Sequence, residues 1–317
     1  MNRRDWLITL LIIVIWGANF TAIKIGLGGM PPMLLAAVRY FFVAFPAVLF
    51  VKRPEIEWRY CLAYAMTIGV GQFACLYYAY HIGMPAGLAS VIMQAQTFIT
   101  ILLAAVVLKE SFKMRQIAGL GVAVCGLVLV GLVVKQDGVK ALPIAALILT
   151  LVSAVFWSLS TFVIKAAANR AKTRGVRLEM FGMVAWSALI PPIPFLAMSL
   201  FMDGPSMVYD SLRSLSLVSI LCVLFMAWLS TLLGTGVWNF LISKHTVGYL
   251  APIPMLVPVF GLLIARFTLN EQLSTLQWIG SAVIILGLAV FNFGLSPIKS
   301  LSRRIRKPAD TQSTGNE

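Results

Sequence analysis

Arg39 is the residue of this 317-residue chain with the most chemistry to explain. It stands about two helical turns inside an apolar run that begins near Met33. A planar guanidinium at that depth can hold a carboxylate through two parallel hydrogen bonds. The same side chain can instead snorkel outward or bond backbone carbonyls. Lys24, Lys165 and Arg266 also fall in apolar runs, but close to their ends, where snorkelling is the expected behaviour. All eleven acidic residues lie at the ends of apolar runs, in the polar stretches between them or in the tail. A central carboxylate acting as a proton relay is therefore disfavoured, and so is a site tuned to a strongly cationic ligand.

Polar groups buried among apolar ones are costly unless paired or set beside a cavity, so the neutral polar stripes come next. Trp16 and Asn19 are three apart and share a helical face. Ser153, Trp157 and Ser160 or Thr161 form a second stripe. Thr231, Gly234, Thr235 and Trp238 form a third, with Asn239 beside them. Such Ser and Thr stripes also serve as hydrogen bonds between helices, yet three stripes that each carry a Trp point to a cavity. Gln94 and Gln96 are two apart and must point to different faces, so one of them looks inward. Pro252, Pro254 and Pro258 break one run and Pro85 and Gly87 open another, which frees backbone carbonyls to face a watery site. The candidate substrate contacts are thus Trp16, Asn19, Arg39, Gln94, Trp157, Thr235, Trp238 and Asn239.

Glu110 and Glu271 belong to a spacing, Glu-x5-Gln-x2-Gly-x6-Gly, that occurs twice at a displacement of 161 positions. The matched pairs include Glu110/Glu271, Gln116/Gln277, Gly119/Gly280 and Gly126/Gly287. Apolar repeats arise easily in greasy chains, whereas matched Glu, Gln and Gly positions do not. Each Glu precedes an apolar run, where a carboxylate caps free N–H groups at a helix start, and a gating role is the alternative. Cys61, Cys75, Cys125 and Cys222 are single and sit in apolar runs, which suits packing rather than zinc or redox work. His81 and His245 fall near run ends as interfacial residues or pH sensors. No metal site, cofactor or GxxxxGK[ST] nucleotide loop is expected.

The elements that must carry these residues are membrane helices. Hydrophobic residues make up 60% of the chain and charged ones 11%, far more apolar surface than a soluble fold could hide. About 20 apolar residues span the hydrocarbon, and that ruler divides the chain into ten spans: 6–26, 33–51, 60–80, 87–108, 116–134, 142–165, 179–201, 214–241, 248–269 and 275–294. The apolar start behind Arg3 and Arg4 resembles a signal peptide, but without a clear cleavage site it is taken as an uncleaved first helix. The net charge of +14 sits in short connections and so reports topology, not nucleic-acid binding. Eighteen Lys or Arg fall in segments on the side of the N-terminus and three on the other, so both termini are expected in the cytoplasm.

The 161-residue echo then separates a first repeat, 1–134, from a second, 142–295, with a basic, disordered cytoplasmic tail at 296–317. Five spans per repeat is odd, so the second repeat must enter the membrane inverted. Trp16-x7-Lys24 and Trp157-x7-Lys165 form a weaker echo of the same kind. The expected fold is an all-α integral membrane protein of ten transmembrane helices in two inverted five-helix repeats, an arrangement suited to alternating access.

On these residues the chain resembles a known family. The ten spans, WGANF at 16–20, MPAGLAS at 84–90 and the doubled Glu-x5-Gln-x2-Gly pattern are similar to the EamA branch of the drug/metabolite transporter superfamily. Gly83–Glu110 and APIPMLVPVFGLL at 251–263 look most like bacterial exporters of O-acetylserine and cysteine. The resemblance covers Trp6 to about Leu295. It implies a secondary carrier in the bacterial inner membrane that exports small zwitterionic amino-acid-type metabolites, or another metabolite or drug class. Uniport suits the missing central carboxylate, while proton exchange would need Glu110, Glu271 or a histidine. An intramembrane enzyme would need metal ligands or a nucleophile and base at depth, which the spacing does not offer. A scaffold or sensor role is disfavoured by the lack of a sizeable extramembrane domain. Small molecules and lipids are the expected partners, without nucleic acid, and oligomeric state is not legible.

Overall fold

A computed structural model describes residues 3–108, 114–131, 142–244 and 253–293. Among them there is no strand. The helices are α1 (Arg3–Gly26), α2 (Pro32–Phe50), α3 (Trp58–His81), α4 in two pieces (Ala86–Ile92 and Ala95–Leu108), α5 (Met114–Gly131) and α6 (Ile144–Thr173). After them come α7 (Met180–Met202) and α8 (Pro205–Arg213). α9 is built from Leu217–Leu224, Phe225–Leu233 and Gly234–Lys244. α10 spans Ile253–Leu269 and α11 Thr275–Phe293. Seven of these are long and apolar enough to cross a membrane; α5 and α10 are apolar but shorter.

Two differences from the expected spans have clear causes. α6 continues to Thr173, well beyond position 165. Its extra turns are basic and reach across to Glu57, which accepts from Arg170 Nε at 2.7 Å and Arg174 Nη2 at 2.8 Å. Residues 202–213, expected as a plain connection, contain α8. Gly204 before it has φ +82°, a conformation open to glycine at little cost, and Pro205 suits a first helical turn.

α3 and α9 each contain a π-helical stretch, Ala65–Gln72 and Phe225–Leu233. Such turns leave some carbonyls without an in-helix partner. In α3, the Gln72 carbonyl accepts from Ser153 Oγ of α6 at 2.8 Å. In α9, the Ser230 carbonyl accepts from Trp16 Nε1 of α1 at 3.0 Å. Each stretch is thus tied to a helix distant in sequence.

The doubled glycines have a packing role. α5 and α11 run antiparallel, with Gly126 opposite Gly280 and Gly119 opposite Gly287. A Cβ on Gly126 would lie 2.7 Å from the Gly280 oxygen, and one on Gly287 would lie 2.8 Å from the Gly119 oxygen. Small residues let membrane helices approach backbone to backbone, and Phe98 and Phe291 close the same seam edge to face at 4.9 Å. The doubled Gln is local: Gln277 and Ser274 form a capping box at the start of α11, with Ser274 N donating to Gln277 Oε1 at 2.9 Å and Gln277 N to Ser274 Oγ at 3.2 Å.

Candidate substrate cavity

One cavity of about 210 Å³ lies among α1, α2, α3, α4, α6, α7, α9 and α10. Of the residues singled out in the sequence, Trp16, Asn19, Arg39, Gln94, Trp157 and Thr235 all line it. Trp238 stands one layer behind, its ring 5.5 Å from that of Trp16. The Asn239 side chain, Glu110, His245, Pro252 and the tail from Ser296 lie outside the described residues.

Arg39 dominates the cavity's electrostatics. It is 3% exposed. Its Nη1 donates to Tyr77 Oη at 2.8 Å and its Nη2 to Thr231 Oγ1 at 3.0 Å. The guanidinium carbon lies 4.2 Å from the Phe73 ring centroid, a cation–π contact that orients the fork. A guanidinium carries five N–H donors; those two bonds leave Nε without a partner. No carboxylate among the described residues is within ion-pair distance of it. Arg39 therefore neither snorkels nor pairs: it is a buried cation held by two hydroxyls and an aromatic face beside open space.

Sequence reasoning missed much of the rest of the wall. The π-helical stretch of α3 contributes Ala65, Ile68, Gly69 and Gln72, and α7 contributes Val184, Ser187, Ala188 and Pro191. Gly69 and Gly71 allow this: a side chain at Gly69 would strike Pro191, and one at Gly71 would strike the Phe156 ring. Gly69-x-Gly71-Gln72, a polar residue beside two glycines inside an apolar run, is the available signal, but nothing in a single sequence marks a π turn. On α4 the first piece is buried throughout, and the wall is formed instead by Met93, Gln94 and Gln96 at its break; both glutamines border the cavity where only one was expected, because the helix is interrupted between Ile92 and Ala95 and the two do not stand on one continuous helix. On α10 the broken first turns contribute Pro254 and Val257. The Ser and Thr stripe on α6 is spent on backbone: Ser153 Oγ donates to the Gln72 carbonyl at 2.8 Å, Ser160 Oγ to the Trp157 carbonyl at 2.6 Å and Thr161 Oγ1 to the Trp157 carbonyl at 3.4 Å.

Glu271 is engaged elsewhere than its own helix. The Ala86 N–H donates to Oε1 at 2.6 Å and the Gly87 N–H to Oε2 at 3.0 Å, so this carboxylate caps the first piece of α4. Gly87 keeps the space tight there: a Cβ would lie 3.1 Å from Leu262 Cδ2 and 3.4 Å from Glu271 Oε2. Lys24 joins the same cluster by donating to the carbonyls of Tyr80 at 3.1 Å and Met84 at 3.3 Å. Arg266 Nη1 donates to the Glu271 backbone carbonyl at 3.0 Å. The Glu57 bridge and this cap stand at opposite ends of α3, joining early and late parts of the chain at both ends of the bundle. The hydrogen bond from Arg170 holds the Glu57 carboxyl below the usual carboxylate range.

An all-helical bundle around a deep, mostly apolar cavity with one unpaired cation is the form of a membrane carrier, and comparison with known proteins agrees. The chain belongs to the EamA-like transporter family, whose model matches residues 5–132 and again 144–293. It is 39% identical over 297 residues to a "Probable amino-acid metabolite efflux pump" of Escherichia coli, covering 93% of this chain and 97% of that one. It is 24% identical to a "Probable terminal-alkyne amino-acid exporter" of Streptantibioticus cattleyicolor, covering 92% of this chain and 94% of that one. A crystal structure of a protein 17% identical superposes with a TM-score of 0.61, covering 97% of this chain and all of its own, a likeness of fold alone. With its apolar helices and bacterial relatives, the chain is a multi-pass transporter of the inner membrane.

Proposed function

We propose that this protein is a secondary exporter of small zwitterionic amino-acid-type metabolites, such as O-acetylserine or cysteine, working by alternating access between two inverted five-helix repeats. The observation that carries the cargo class is Arg39: a guanidinium buried beside the cavity without a counter-ion gains most from a substrate carboxylate. The amino-acid names of both relatives point the same way. The double match of the family model supports the repeat. So does the spacing of the π-helical stretches, since a displacement of 161 carries Gln72 onto Leu233, the last residue of each.

In this reading Trp16, Asn19, Gln94, Trp157 and Thr235 surround the cargo, Trp238 braces Trp16, and Glu271 latches one end of the bundle by its cap on α4. Opening that end requires the cap to break, which is the gating role for a carboxylate bound to two backbone N–H groups of another helix. Transport rather than catalysis is the activity, with small molecules as cargo.

Export from cells overproducing the chain, measured over a panel of cysteine-pathway metabolites, other amino acids and amino-acid amides, tests this reading. Accelerated efflux of carboxylate-bearing amino acids that Arg39→Met abolishes is the expected result. Efflux of none of them, or efflux of amides at the same rate, would sink it.

A further inference from the structure

Arg39 accounts for only one end of a zwitterion. The cavity holds no carboxylate among the described lining residues that could receive the other end. It does hold two amide side chains whose oxygens have no partner among the described residues. Asn19 Oδ1 on α1 and Gln72 Oε1 on α3 are both buried and unbonded, and both residues line the cavity with Arg39. Gln72 as a whole is 2% exposed.

A buried acceptor without a donor is destabilising, and few native structures keep one without a reason. Here two of them share a wall with a buried guanidinium that retains an unused N–H. Both amides are held by their helices. The Gln72 backbone is fixed at the end of the π-helical stretch by Ser153, and Asn19 follows Trp16, which is clamped to Ser230. An amide can turn end for end, so either its oxygen or its NH₂ can face the cavity; an ammonium selects the oxygen. The Trp16, Trp157 and Tyr40 rings in the same wall add faces that attract a cation.

We infer that Asn19 and Gln72 form the ammonium subsite of the cavity, so that the transported class is defined by a free primary amine as well as a carboxylate. This rests on the proposed reading of Arg39 as the carboxylate anchor. Neutral carbonyl oxygens suit the task because a carboxylate in the wall would pair with Arg39 and neutralise the anchor. N-acylated amino acids, which keep the carboxylate but exchange three ammonium donors for one neutral N–H, are disfavoured because they leave at least one of the two oxygens unpaired, the mechanism by which polar sites discriminate most strongly.

The test is binding to the purified full chain in detergent, read by tryptophan fluorescence because Trp16 and Trp157 border the cavity. The probes are L-cysteine, N-acetyl-L-cysteine and L-cysteinamide. Wild type should bind cysteine at least about tenfold more tightly than N-acetylcysteine. Gln72→Met and Asn19→Leu should each weaken cysteine toward the N-acetylcysteine value without changing the latter. The two amide variants are independent, so one that elutes monodisperse suffices. Equal wild-type affinities, or an undiminished preference in folded Gln72→Met or Asn19→Leu, overturn the subsite. Cysteinamide binding as tightly as cysteine overturns the carboxylate anchor instead, whatever the amide variants do. No saturable signal from any probe overturns both.

Discussion

A guanidinium buried without a counter-ion is held at a cost, and that cost predicts that Arg39 can be removed without loss of stability. Its two hydroxyl partners have other contacts: Tyr77 Oη donates to Met226 Sδ at 3.6 Å and Thr231 Oγ1 to the Met226 carbonyl at 2.8 Å. Arg39→Met therefore leaves neither hydroxyl stranded and relieves the desolvation of a charge. Its melting temperature in detergent should be equal to or above that of wild type, while transport of carboxylate-bearing substrates falls at least about tenfold. A lowered melting temperature together with lost transport would mean that Arg39 is structural. Arg39→Lys keeps the charge but not the planar fork, and it should show a raised KM with kcat changed less.

At the level of elements, two contacts decide how helices meet. The Glu271 cap on α4 is a charge-assisted bond to two backbone N–H groups, worth about 1 kcal/mol. Glu271→Gln should loosen that end of the bundle. In a background lacking the native cysteines, Leu88→Cys, buried beneath the cap, should react with a membrane-impermeant maleimide about fivefold faster when Glu271→Gln is added. An unchanged rate would leave Glu271 a bystander. The glycine seam of α5 and α11 makes a sharper demand. Gly280→Ala would set a Cβ 2.7 Å from Val130 Cγ2 and 2.8 Å from the Gly126 oxygen. It should destabilise by about 1–3 kcal/mol, seen as a lower melting temperature, whereas alanine at Gly121, which meets nothing within 4 Å, should be neutral.

For the whole molecule, the bridges at opposite ends of α3 hold the chain's two parts together. The Glu57 carboxyl is lowered by Arg170, so its contribution is present above the ordinary carboxylate range and lost as pH falls through the lowered folded value. Melting temperature measured between about pH 6 and about pH 3 should fall less steeply for Glu57→Gln than for wild type. Identical profiles would show the bridge to be ornamental in solution. The Lys and Arg asymmetry of the connections predicts a topology with both termini in the cytoplasm: a periplasm-active reporter fused at the C-terminus should stay silent, and activity there would overturn it.

The residues themselves determined the class of molecule, because membrane helices are written in local terms. Length of apolar run, loop charge and a 161-residue echo can all be counted without knowing what touches what. Local pattern also singled out Trp16, Asn19, Arg39, Gln94, Trp157 and Thr235, since a polar residue in an apolar run is conspicuous wherever it points. Only tertiary structure decided that these six share one cavity, that Trp238 stands behind it and that Gln72 belongs with them. It also moved Glu271 from its own helix to the start of α4 and turned the doubled glycines into a helix seam. The reason is physical: a cap, a close backbone approach and an unpaired oxygen are relations between segments up to about two hundred residues apart, and such relations are set by packing.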